Sequence, residues 1–244
     1  MKPAWRAELL KITTVRALWL GVVLATATIP LISLAVAATG GLSHGDTVTS
    51  GAATGTVIGL LAFGTWGAVL SAGEYVHGTF HVSLMSVPRR GVLLVAKLAA
   101  GAAVASAAAL VSSGVALLVV RASTPSGDHQ WGNPLALLGV VAAVASVTVV
   151  GTALGILTRS STAAILVLAA AILLPQAAAG LLGSLQPWVV GASPGAVVTQ
   201  VVGGAQLSTD HTFPAGTASA VAAMIGVAAL IASVAGVLLS RRDG

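Results

Sequence analysis

Glu74-Tyr-Val-His-Gly-Thr-Phe-His-Val-Ser-Leu-Met-Ser-Val-Pro-Arg-Arg-Gly-Val-Leu-Leu-Val-Ala-Lys97 is a polar island between long apolar runs. It contains the only internal Arg pair, the only Tyr and two of the five His in the chain. What surrounds it decides the fold. Across 244 residues, 57% are hydrophobic, 7% are charged and mean hydropathy is +1.01. Ordinary soluble domains carry roughly 25% charged residues. A chain of this length cannot cover a water-facing surface with so few charges, so it belongs in a bilayer. Cysteine is absent, which excludes disulfides and thiolate metal sites.

The apolar runs predict an all-α integral membrane fold, a single transmembrane domain over residues 1–244. Six spans are expected, at 17–38, 51–73, 91–120, 134–158, 162–183 and 216–239. Each is long enough for a hydrocarbon core of about 30 Å at about 1.5 Å per residue. Residues 1–16 read as an interfacial helix. Trp5, Leu9 and Ile12 form one stripe, with Lys2, Arg6 and Thr13 opposite. A signal peptide also starts with a basic segment, but the apolar run after Arg16 is too long for one. Pro30 should kink or break the first span. Gly51, Gly55 and Gly59 have the four-residue spacing of a close helix-packing face. Lys97 should snorkel from the first turns of a long third span. Pro134 is placed to open the fourth span, and only Thr158 to Ser161 separate it from the fifth. Residues 184–215 are too apolar for a free loop and predict short helices packed on the bundle.

Charge placement orients this layout. Lys2, Arg6, Lys11, Arg16, Arg89, Arg90, Lys97, Arg159, Arg241 and Arg242 fall on one side, and Arg121 alone on the other. That bias predicts two cytoplasmic termini, and five or seven spans would destroy it. The net charge of +5 does not indicate nucleic acid, because the basic residues are scattered rather than gathered on a face.

Signs of chemistry are sparse. No Gly-x-x-x-x-Gly-Lys-Ser/Thr is present, since the three lysines are followed by Pro3, Ile12 and Leu98. Gly-x-Ser-x-Gly occurs around Ser43 and Ser193, without the strand-turn-helix setting a nucleophile needs. His77 and His81 stand one helical turn apart with Glu74 a turn earlier, a weak metal pattern interrupted by Gly78. No expected span carries a charge at its middle, which argues against proton coupling. A channel lined by backbone carbonyls, or a secondary carrier, stays open as an alternative. So does a scaffold or assembly role. The segment 74–90 itself offers apolar knobs, Phe80, Val82, Leu84 and Met85, which a topology loop does not need.

Glu74-x-x-x-Gly78-Thr79, then Val87-Pro88-Arg89-Arg90 and Lys97, resembles the first cytoplasmic loop of ABC-2 type transporter permeases. Glu8-Leu9-Leu10-Lys11 with Arg16 and Trp19 resembles the start of that family's actinobacterial members. The resemblance covers the whole layout. It implies a six-span exporter subunit in the bacterial cytoplasmic membrane that pairs with a second permease, either another copy of itself or a different chain. A separate ABC ATPase dimer would carry ATP and Mg, with no cofactor on this chain. It also implies that 74–90 is a coupling element docking on the ATPase. Glu74, Gly78 and Thr79 would match the signature, Phe80 to Val87 would dock, and Arg89 and Arg90 would begin the return to the membrane. The Gly/Ala/Ser-rich lining suggests a drug, antibiotic or lipid-like substrate.

Overall fold

A computed structural model describes residues 2–43, 45–76, 78, 90–124, 129–203 and 212–241. All regular structure among them is helical. Helix α1 (Lys2–Thr14) turns at Val15 into α2 (Arg16–Ala38). Short α3 (Val48–Ala53) and α4 (Thr56–Val76) make up the second span. Next come α5 (Arg90–Ser123), a 3-10 turn (Pro134–Leu137) and α6 (Leu138–Thr158). After α7 (Ser161–Ala177), short α8 (Gln186–Gly191) and α9 (Pro194–Val202) lead towards α10 (Thr217–Arg241). Among the described residues, five helical stretches are long and apolar enough to cross a membrane. This is the architecture of an all-helical, multi-pass membrane protein.

Several boundaries differ from the sequence expectation. The second span starts earlier, at Val48, and is interrupted at Thr54–Gly55. It also runs past Gly73 to Val76, so Glu74 is a helical residue rather than the start of a loop. Helix α5 has 34 residues and rises about 51 Å, well beyond a bilayer core. The expected fifth span is instead a 17-residue helix, rising about 26 Å, followed by 3-10 turns. Pro175 near its end removes a helix donor and helps to stop it. The segment after it forms the expected short helices, with α9 packed on α3, α4, α6 and α10.

Helix α6 sits at the centre, against α4, α5, α7 and α10. Glycine sets its distance from α4. A Cβ at Gly67 would come within 2.5 Å of the Thr148 carbonyl, and one at Gly155 within 2.6 Å of the Ala68 carbonyl. Such contact leaves dispersion between backbones, the main attraction available where lipid offers no hydrophobic contrast. The Gly55 and Gly59 face packs on Ile29 of α2, as the spacing predicts. Serine adds polar ties, since Ser71 donates to the Thr152 carbonyl at 2.8 Å and Ser33 to the Ala52 carbonyl at 3.0 Å.

Of the kink or break expected at Pro30, no break occurs, and α2 runs on through it. The proline has no N–H to offer the Thr26 carbonyl four residues earlier. Ser112 of α5 supplies the missing donor, at 2.6 Å. Trp66 of α4 likewise donates its indole N–H to the Leu18 carbonyl at 2.8 Å, in space left by Gly21.

The two ends of the bundle differ. At one, Leu93, Leu94, Ile156 and Leu239 pack together beside Tyr75, and the Arg159 guanidinium lies 5.5 Å from the Tyr75 ring centre. Arg159 ends α6 in a left-handed conformation (φ +53°), and Ser160 caps α7. At the other end, α3, α9 and residues 129–137 meet, with Arg121 5.5 Å from the Trp131 ring centre.

Candidate functional site

Four charged side chains come together where α1, α4 and α5 converge. Lys97 sits in the third turn of α5 and is only 2% exposed. Its ammonium donates to both Glu8 carboxylate oxygens at 3.0 Å and to Glu74 Oε1 at 2.8 Å. Lys11 donates to the same Glu74 Oε1 at 2.5 Å and to the Leu70 carbonyl at 3.3 Å. Glu8 and Glu74 are 5% and 4% exposed. Glu8 and Lys11 stand three residues apart on α1, so one helix face presents both signs.

The charges cancel within the cluster. Burying each ion costs several kcal/mol, and mutual pairing with full hydrogen bonding is what offsets that cost. All three Lys97 donors are used, whereas Glu74 Oε2 accepts no hydrogen bond among the described residues. Glu74 lies in the last turn of α4, the end at which the helix dipole disfavours a negative charge. Pairing with two lysines outweighs that half-charge. Lys11, outside the spans, is pushed below the ordinary lysine range chiefly by burial and then by Lys97, against the pull of Glu74.

The cluster ties the roots of the central segment to the N-terminal helix. Glu74 precedes that segment on α4, and Lys97 follows it on α5. Gly78 takes a left-handed φ of +67°, a conformation open to glycine because it has no Cβ. Thr79, Phe80, Val82, Leu84, Met85 and Arg89 lie outside the described residues, as do His77 and His81, while Arg90 opens α5.

Three sequence expectations change here. Lys97 does not snorkel; it turns inward to two carboxylates. Glu74, expected to open the loop, is buried beside it on the last turn of α4. On α1 the stripe of Trp5, Leu9 and Ile12 is not a face given wholly to lipid, because Ile12 is buried and Trp5 and Leu9 are half-buried against the bundle. The buried line of α1 runs through Ala4, Glu8 and Ile12, while Leu10 is 64% exposed. Glu8 and Lys11 were missed as site residues. The available signal was Glu8, the one acid among the basic residues of 1–16, at helical spacing from Ile12. Ser193 of the second Gly-x-Ser-x-Gly caps α9, accepting from the Ala196 N–H at 3.4 Å.

The chain matches no family model and no curated protein.

Proposed function

We propose that the chain is the permease subunit of an ATP-driven exporter of the ABC-2 type. In this reading it moves a hydrophobic or amphiphilic compound out of the cytoplasm or the inner leaflet of a bacterial plasma membrane. It works as a pair of permeases over an ABC ATPase dimer, which holds ATP and Mg. All six spans cross the membrane and both termini are cytoplasmic.

The observation that carries this reading is the buried cluster of Glu8, Lys11, Glu74 and Lys97. It joins α1, α4 and α5 at the two roots of the segment that resembles a coupling element. A push on that segment then moves three helices together instead of bending one. Interfaces and packed cores respond to such a push by switching between discrete arrangements, as alternating access requires. The gathering of Lys11, Lys97, Arg159 and Arg241 at helix ends on the expected cytoplasmic side also favours this orientation.

The test is ATP turnover by the chain reconstituted with its candidate ATPase. Phe80→Asp or Leu84→Asp should lower turnover by about thirtyfold, the scale of a lost interface anchor of about 2 kcal/mol. Unchanged turnover would remove the coupling role. Transport in proteoliposomes driven by an ion gradient with no ATPase would overturn the exporter reading altogether.

A further inference from the structure

Helix α1 packs on α2 and α5, and the apolar run of α2 begins directly after it. That puts α1 at the level of the lipid headgroups, in the leaflet at the ion-cluster end of the bundle. Its two faces differ in charge. Glu8 is the only acid of α1, and it points inward to Lys97. Lys11 is taken up by Glu74. Arg6 and, at the start of α2, Arg16 are exposed and have no hydrogen-bond or ion-pair partner among the described residues. The cluster therefore consumes the one negative charge of α1 and leaves its outer face positive.

That outer face carries a groove of about 330 Å³, lined by Arg6, Leu9, Leu10 and Thr13. These positions form one stripe of the helix, at i, i+3, i+4 and i+7. Leu10 is largely exposed, as are Trp19 and Leu20 in the first turns of α2. Thr13 spends its hydroxyl hydrogen on the Leu10 carbonyl at 2.9 Å. The side-chain donor left in the groove is Arg6, whose planar fork matches a phosphate in two parallel hydrogen bonds.

A fixed guanidinium beside exposed leucines complements a molecule with an anionic head and an apolar tail. At headgroup level that molecule is a phospholipid of the surrounding leaflet. An anionic phospholipid fits better than a zwitterionic one, whose own ammonium competes with Arg6 for the phosphate. We propose that the outer face of α1 is a binding site for an anionic phospholipid. The phosphate sits on Arg6 and an acyl chain lies along Leu9 and Leu10. The inference does not depend on the exporter reading, because it concerns binding of lipid to the chain itself.

The experiment is native mass spectrometry of the full chain in an uncharged detergent. Dioleoylphosphatidylglycerol and dioleoylphosphatidylcholine are added at equal concentration, and saturable adducts of the anionic lipid are expected to dominate. Arg6→Gln should weaken that binding about fivefold, the loss of one basic contact at a membrane surface. Arg241→Gln removes another exposed arginine from the same end of the bundle and should leave binding unchanged. Leu10→Gln keeps the charge but makes the groove polar, and should weaken binding about threefold. Arg6 and Leu10 are both exposed, so these exchanges leave the packing of α1 intact. The proposal is overturned if the zwitterionic lipid binds as well as the anionic one. Equal losses from Arg6→Gln and Arg241→Gln would also overturn it, by reducing the effect to general charge attraction. So would undiminished binding by Leu10→Gln, or displacement of the lipid by glycerol phosphate alone, which would make the site one for free phosphate.

Discussion

Lys97 uses all three of its donors on carboxylates that come from two other helices. Removing it leaves Glu8 without a hydrogen-bonded cation in a site that is 5% exposed. Lys97→Met should therefore destabilise the protein by about 3–5 kcal/mol, the usual cost of stranding one partner of a buried pair. Thermal unfolding in nanodiscs measures this. Adding Glu8→Gln should return part of the loss, because the stranded charge is then gone. A Lys97→Met protein as stable as the wild type would show that the cluster does not hold α1 to the bundle. Lys97→Arg is not a silent exchange either, since a planar fork does not reproduce the three-way reach of an ammonium.

Helix α2 remains unbroken at Pro30 because α5 completes its hydrogen bonding. The Thr26 carbonyl accepts from Ser112 at 2.6 Å where the proline supplies no N–H. In a bilayer no water replaces such a bond, so its loss exposes the desolvation cost of a bare carbonyl. Ser112→Ala should cost about 1–3 kcal/mol. In a Pro30→Ala background the same change should be nearly neutral, because an alanine N–H at that position can donate to Thr26 within the helix. A double-mutant cycle on unfolding free energy separates the cases. Equal costs in both backgrounds would mean that the Ser112 bond does not compensate for the proline.

For the whole molecule, the number of helices that cross the membrane sets which side each end faces. Helix α7 starts beside Arg159, at the end that holds the ion cluster, and leads to α8 and α9 near the other end. At about 26 Å it is short, and the 3-10 turns that follow add to its reach. The chain has no cysteine, so single-cysteine variants report cleanly. Thr13, Ser240 and Gln130 are exposed positions at the two ends. If six helices cross, Thr13→Cys and Ser240→Cys should react with an impermeant maleimide only from the cytoplasmic side, and Gln130→Cys only from outside. Labelling of Thr13→Cys and Ser240→Cys from opposite sides would mean an odd number of crossings.

The amino-acid sequence alone determined the membrane class, the helix-forming runs, the tight turn at Arg159 and the close-packing glycine face. These depend on local quantities: apolar length, charge placement, the spacing of small residues and capping chemistry. Gly55 and Gly59 declared a packing face by spacing, but not that Ile29 would fill it. Lys97 shows where local reading stops. A lysine near the end of an apolar helix looks the same whether it reaches out to water or turns in to a carboxylate. Which one happens depended on Glu8, 89 residues away in the chain, and on Glu74, 23 residues away, arriving beside it. Only the packing of α1 against α4 and α5 placed them there. That packing changed the two ends of the central polar stretch from surface groups into a buried anchor.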